Sequence, residues 1–305
     1  MSDGGAAVTA ERCGHVAILG APNAGKSTLV NTLVGAKVSI VTHKVQTTRG
    51  RVTGVCNVGR TQIVLVDTPG IFQPRKRLER ALVKTAWSGA VDADATLLVI
   101  DARRGLDDAA TSILSRLTRH RHVLCAINKI DLVQRDALLP LAGRIGGHDV
   151  VEEIFYISAL NGDGVDDVVS ALAERLPIQP WLFPADHLSD QPLARLAAEI
   201  TREKLFVRVH QELPYELSVE TELWTDIPEE EAVRIDQVIY VARRGHKPIV
   251  LGRNGHTIRE VGKAARRELE TLLECRVHLF LHVKVRTGWL DDPARYREIG
   301  LEFPG

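Results

Sequence analysis

With 305 residues, 45% of them hydrophobic and 26% charged, the chain has the length of about two domains and the composition of an ordinary globular protein. Its 39 basic and 39 acidic side chains cancel, which excludes any whole-molecule charge argument for nucleic acid or membrane binding. The four cysteines (Cys13, Cys56, Cys125, Cys275) form no CxxC pair and match no zinc spacing, so they read as free thiols of a reducing cytoplasm.

The first ten residues lack the basic start and apolar run of a secretory leader. The apolar runs that follow are strand-sized, far short of the ~20 residues that span a bilayer. Residues 15–20, 61–66, 95–101, 122–128 and 153–159 are nearly all apolar and rich in Val, Ile and Leu. That is the pattern of strands buried on both faces of a parallel sheet. Helical stretches fall near 26–35, 77–90, 107–119, 134–145 and 164–176, and this alternation predicts a doubly wound α/β domain over 1–179. Residues 51–58 (RVTGVCNV) read as an extra strand, antiparallel at the edge.

Gly20, Ala21, Pro22, Asn23, Ala24, Gly25, Lys26 and Ser27 fit GxxxxGK[ST] between a strand and a helix, with Thr28 following as a further nucleotide contact. Such a loop curls so that successive main-chain N–H groups face one phosphate chain, and the helix start adds partial positive charge. Lys26 then reaches the β- and γ-phosphates and the Ser27 hydroxyl ligates Mg²⁺. Asp67-Thr68-Pro69-Gly70 closes the next strand; Asp67 is placed to hold a Mg²⁺-bound water and the Gly70 N–H to sense the γ-phosphate. In the polar loop Gln46-Thr47-Thr48-Arg49 a threonine completes the metal shell, Thr48 in preference to Thr47. Both loops would be ordered by the γ-phosphate and released on hydrolysis, a switch. Where small signalling GTPases carry a water-orienting Gln, this chain has Ile71, so slow intrinsic hydrolysis is expected. Asn23 sits where some GTPases recruit a potassium ion, which makes K⁺ a candidate second ion; a plain loop-forming role is the alternative.

Asn128-Lys129-Ile130-Asp131 names the base. Asp131 would accept from the N1–H and N2–H₂ of guanine, a donor pair that adenine lacks, so adenine would leave a buried carboxylate unpaired. Asn128 would tie this loop to the phosphate loop, Lys129 would cover the ring face, and Ser158-Ala159-Leu160 would complete the pocket.

Residues 176–192 hold four prolines and end the periodic pattern, so 180–191 is the expected linker and 192–305 a second domain. There the order becomes helix (192–211), strands (216–224, 233–243), a short apolar turn, helix (256–274) and strand (276–286). Gly252-Arg253-Asn254-Gly255 forms a GxxG loop ahead of the long helix. From 243 to 286 there are eleven Lys or Arg and four Asp or Glu, whereas 212–236 holds nine acids and one base. The zero total hides a basic face, the footprint of nucleic-acid binding. This α+β topology resembles a type II KH domain, whose glycine loop clamps about four single-stranded nucleotides. Main-chain amides at the loop, with Arg253, Asn254, Arg259, Lys263 and Arg266, would hold the RNA backbone. Ile249, Val250, Ile258 and Val261 could floor the bases, plain core being the alternative, more so for Val261 than for Ile249.

The motifs GAPNAGKSTLVN, QTTRG, DTPGIF, NKID, SAL, ELPY, VLGRNGHTIR and VKVRTGW, in this order, resemble those of the Era family of bacterial GTPases. The resemblance covers nearly the whole chain. It departs in the glycine loop, where Arg253-Asn254 stands in place of the family's frequent Asn-Lys, so a different residue supplies the charge. What the resemblance implies is a Ras-like P-loop GTPase domain followed by a KH domain, GTP or GDP as ligand with Mg²⁺, and slow hydrolysis. It further implies action in small-subunit (30S) ribosome assembly on single-stranded RNA near the 3′ end of 16S-type ribosomal RNA. No stable protein partner is expected. The implied location is the cytoplasm, with peripheral contact at the inner face of the membrane. Two other readings stay open: a second domain that docks on protein or anionic lipid, and, less favoured, a small-molecule phosphotransferase.

Overall fold

The computed structural model describes residues 10–303 other than 43, 45, 46, 75, 76, 210–215, 289–291, 294, 295, 297–300 and 302, and every side chain among them except that of 119. Gln46, expected in the switch loop, and the ELPY stretch lie outside the described residues.

Six strands build the first sheet: β1 (Arg12–Leu19), β2 (Val52–Val58), β3 (Thr61–Asp67), β4 (Ala95–Asp101), β5 (Val123–Asn128) and β6 (Val151–Ile157), in the order β2-β3-β1-β4-β5-β6. All pairs are parallel except β2 with β3, the antiparallel edge the sequence suggested. Successive side chains of a strand point to opposite faces. Val16 and Ile18 therefore pack with α1 (Lys26–Val34) and α5 (Val165–Arg175). Ala17 and Leu19 pack instead with α2 (Arg77–Val91), α3 (Asp108–Arg116) and α4 (Leu138–Gly146). With helices on both faces, β3 and β5 are buried at every position, which is why residues 63–66 and 123–127 within them read as unbroken apolar runs. The carboxyl ends of β1, β3 and β5 open on one edge, the crevice where such sheets bind ligands.

The second sheet, β7 (Leu217–Ile227), β8 (Ala232–Val241) and β9 (Arg276–Val285), pairs antiparallel and then parallel. α6 (Leu193–Arg208) and α8 (His256–Leu273) cover one face of it. The apolar run expected to be a turn is a short helix, α7 (His246–Leu251). Pro248 is tolerated there because the first turn of a helix needs no N–H.

The proline-rich segment is no free hinge. Val55 N donates to Leu188 O at 2.9 Å and Ser189 Oγ to Thr53 O at 2.7 Å, so the segment runs along β2 and covers the sheet's edge. Gln62, fully buried, accepts from the amides of Leu182 and Phe183 at 3.0 and 2.9 Å. A second clasp lies at the far end: Tyr296 and Leu301 bury themselves on Leu78, Ala81 and Leu82 of α2. Among the described residues no helix is long and apolar enough to cross a membrane.

Candidate nucleotide site and nucleic-acid interface

The loop between β1 and α1 is held by its carbonyls. Lys26 Nζ donates to Gly20 O and Ala21 O at 3.1 and 3.0 Å. Arg104 Nη1 donates to Pro22 O at 3.1 Å, Lys129 Nζ to Asn23 O at 2.6 Å, and Asn128 Nδ2 to Ala24 O at 2.8 Å. Gly25 has to be glycine: its φ is 98°, and a Cβ would fall 2.2 Å from Asn128 Nδ2. Asn128 Oδ1 accepts from Lys129 N at 2.8 Å and Ala159 N at 2.9 Å, so one buried amide joins the phosphate loop, the 128–131 loop and the 158–160 loop.

Asp131 differs from expectation in one respect. It stands exposed rather than buried, with Oδ1 accepting from the fully buried Ser158 Oγ at 2.7 Å. A base read by Asp131 would therefore meet a carboxylate aimed by Ser158 and covered by the base itself, not one already desolvated. Leu160 is exposed beside it, and Lys129 reaches Asp101 Oδ2 at 2.6 Å.

The structure gathers Ser27, Thr48 and Asp67. Asp67 is fully buried, and its Oδ2 accepts from Ser27 Oγ at 2.7 Å, Ser39 Oγ at 2.7 Å and Thr48 Oγ1 at 3.3 Å. Thr47 spends its hydroxyl on Thr42 and Lys44 instead, at 2.7 and 2.8 Å. Among the described residues, Asp67 Oδ1 is buried with no partner. Burial pushes the Asp67 carboxyl above its usual range, against the pull of the hydroxyls and of Lys26. Burial likewise lowers Lys26 to about 8, with Asp67 opposing. Thr28 is half-buried at the start of α1. Thr68 and Pro69 are buried, and Thr68 Oγ1 donates to Ile18 O at 2.8 Å, so its side chain serves the strand. Ile71 packs into the core while its N–H donates to Gly20 O at 3.1 Å, pinning the 67–70 loop to the phosphate loop. Ser39, which follows α1 without any motif, was not foreseen at this cluster.

The glycine loop of the second domain also departs from expectation. The amides of Gly252 and Gly255 are already used, donating to Pro248 O at 2.8 Å and Gly252 O at 3.1 Å, though both glycines remain half-exposed. The loop is thus not an open cradle of N–H groups. Gly252 is fixed by geometry, with φ 73° and a would-be Cβ 2.2 Å from Thr257 Oγ1. At Gly255 a Cβ would meet nothing, which leaves room for close approach by another chain. Arg253 and Asn254 lie in the loop itself, while Arg259, Lys263 and Arg266 follow along one side of α8, and all five are exposed. Val250 is a correction: it is fully buried in the domain core, as is Val261, so neither can touch a base. The possible floor shrinks to Ile249, 52% exposed, and the half-buried Ile258.

Two family models match the chain: 50S ribosome-binding GTPase over residues 15–129 and KH domain over 212–290. GTPase Era of Mesorhizobium japonicum is 56% identical over 296 residues, 97% of this chain and 95% of that protein. GTPase Era of Sinorhizobium medicae is 54% identical over 305 residues, covering 100% of this chain and 98% of its own. The chain belongs to the Era family of GTPases. As a member it hydrolyses GTP to GDP and phosphate. Era solved with MgGDPNP and nucleotides 1506–1542 of 16S ribosomal RNA superposes at a TM-score of 0.90 with 39% identity, covering 95% of this chain and 99% of the other. A variant of Aquifex aeolicus Era bound to GDP and AlF4⁻ gives the same score, identity and coverage. Each Era relative named here spans both the GTPase and the KH regions.

Proposed function

We propose that this chain is a slow GTP switch that binds the 3′ end of small-subunit ribosomal RNA through its KH domain and acts in 30S assembly in the cytoplasm. The observation that carries this reading is the full-length likeness to an Era that was solved with a 16S fragment. The G-domain model's 50S description covers residues 15–129 only, so the two-domain relative is the better guide to the RNA. Gly20–Thr28, the 67–71 loop, Asn128, Lys129, Asp131 and the 158–160 loop hold the nucleotide. Arg253, Asn254, Arg259, Lys263 and Arg266 grip the RNA backbone, with Ile249 and Ile258 under the bases. The division is G domain 1–179, linker 180–191 and KH domain 192–305.

A magnesium ion fits the first site. The orphaned buried oxygen of Asp67, beside the Ser27 and Thr48 hydroxyls, is an all-oxygen donor set suited to a hard cation. When bound it would neutralise charge between the β- and γ-phosphates. Lys26 supplies the second positive charge, Gly70 N–H reports the γ-phosphate, and Ile71 offers nothing to orient water. Potassium at Asn23 is the proposed substitute; hydrolysis that is equal in KCl and NaCl would remove it.

Nucleotide state governs RNA access in this reading. RNA affinity measured on GTP analogue- and GDP-loaded protein should differ at least about fivefold, the lower bound of usual allosteric coupling. Equal affinities would end the switch claim. Sequencing RNA crosslinked to the GTP-loaded protein in extract tests the target: reads outside the small-subunit 3′ end would overturn it. Binding of the basic α8 face to anionic vesicles but not to RNA would favour a peripheral membrane role instead.

A further inference from the structure

The described residues between α1 and β2 meet α6 at Lys37, Val41 and Thr47, so the stretch carrying Thr48 lies at the junction of the two domains. Side chains of the KH domain hold its main chain. Glu203 Oε1 accepts the Val41 N–H at 2.9 Å, and Arg202 Nη2 donates to the Thr47 carbonyl. In return Arg49 Nη1 donates to Leu217 O of β7 at 2.8 Å and Lys44 Nζ to Val209 O. Arg202 is 1% exposed. Its Nε donates to Glu199 Oε1 at 2.8 Å, and its guanidinium lies 5.0 Å over the Phe206 ring. Glu203 is anchored by Lys37 at 2.7 Å and Lys204 at 2.8 Å, and both lysines also pair with Glu268 of α8.

A buried guanidinium is costly to desolvate, and a long apolar side chain in its place is often neutral or stabilising. Among the described residues Arg202 even leaves Nη1 buried without a partner, at a cavity of about 80 Å³ between α6 and the switch segment. Packing alone does not account for an arginine there. Its two-pronged pair with Glu199 holds the guanidinium in place, and its bond to the carbonyl of Thr47, the residue before Thr48, is what that placement serves.

We propose that Arg202 and Glu203 of the KH domain are positioning residues for GTP hydrolysis: they fix the main chain upstream of Thr48 so that its hydroxyl stays over Ser27 and Asp67. The inference rests on the metal-site reading of Thr48. Thr48 Oγ1 lies 3.0 Å from Ser27 Oγ in this arrangement. Linkage makes the effect mutual, since a nucleotide that favours this switch arrangement favours the docking of α6 to the same degree.

The test uses the full chain with Arg202→Met, Arg202→Lys and Thr201→Val. Thr201 is the neighbour of Arg202 on α6 but faces the KH sheet, where its buried hydroxyl donates to Gln237 Oε1 at 2.6 Å. Two quantities are read: hydrogen exchange over residues 41–49 without nucleotide or metal, and kcat and KM for GTP. For Arg202→Met, exchange should speed about tenfold and kcat fall about tenfold, with GDP affinity within about twofold of the parent. Arg202→Lys should recover part of both. Thr201→Val should leave both at parent values even if it lowers Tm. If Thr201→Val matches Arg202→Met, the role is merely structural and the inference is overturned. Unchanged exchange in Arg202→Met overturns the clamp itself. Faster exchange with unchanged kcat overturns the role assigned to Thr48.

Discussion

The two glycine loops of this molecule are built on opposite plans. In the G-domain loop the carbonyls of residues 20 to 24 are each bound, by Lys26, Arg104, Lys129 and Asn128. A loop whose carbonyls are tied from outside is free to turn its amides toward an anion. In the KH loop the glycine amides are spent internally, and the exposed polar and charged side chains are instead strung out from Arg253 and Asn254 along α8 to Arg259, Lys263 and Arg266. The first is a preorganised nest, where a few buried bonds decide everything. The second is a compact, internally bonded turn whose charge is carried by solvated side chains. Phosphate binding should therefore be concentrated and sharply sensitive in one loop, and distributed and salt-dependent in the other.

Asp131→Asn gives the largest expected effect. The carboxylate aimed by Ser158 is replaced by an amide that presents a donor to guanine's donors. GTP affinity should fall about a hundredfold or more, with preference moving to xanthosine nucleotides. Competition against a fluorescent GDP measures it. RNA affinity of the nucleotide-free protein should not move. Unchanged GTP affinity would break the assignment of the 128–131 loop to the base.

The complementary change, Arg253→Asp with Asn254→Asp, should lower RNA affinity about ten- to thirtyfold. It should also flatten the slope of log affinity against log salt by at least about one. Nucleotide affinity is the internal control. The effect is smaller than at Asp131 because Arg259, Lys263 and Arg266 remain. A collapse of RNA binding at this double substitution, with no residual salt dependence, would mean that the KH loop too is a concentrated site, and the contrast would be lost.

The same contrast governs what could be read before any coordinates. Gly25, Lys26, Asn128 and Ser158 were legible because a strand, a tight turn and a helix start fix them locally, and local spacing survives in sequence. The parallel sheet was legible for a similar reason, since β3 and β5 are buried on both faces and write that burial as apolar runs at 63–66 and 123–127. Val250 and Ile249 could not be told apart. α7 is six residues long, too short for periodicity to set which side faces in. Ser39 at Asp67 and Glu203 at Val41 had no signal at all. Those contacts join residues 28 and 162 positions apart, the first made by the folding of the G domain and the second by its docking on α6. The proline-rich segment reads by composition as a linker between two domains. Its pairing with β2 and with Gln62 is a tertiary fact that composition does not encode.

The domain junction gives the smallest effect and separates charge from position. Burial pushes the Glu203 carboxyl up, but the hydrogen bonds from Lys204 and Lys37 outweigh it and hold the group below its ordinary 4.5. Glu199 is held down in the same way, chiefly by Arg202 against the cost of burial. A carboxyl depressed in the folded state contributes stability that is complete above its unfolded value and is lost as pH falls through the folded one. Glu203→Gln removes that contribution while keeping an oxygen that can accept the Val41 N–H. The parent should thus melt about 2–4 °C above the variant near pH 7, corresponding to about 1 kcal/mol. The gap should narrow as pH drops below about 4.5, where the parent's own carboxylate takes up a proton. Scanning calorimetry from pH 7 to 3.5 measures it. A gap that stays constant to pH 3.5 would mean the junction is held by the shape of α6 against the switch segment rather than by the charge on Glu203.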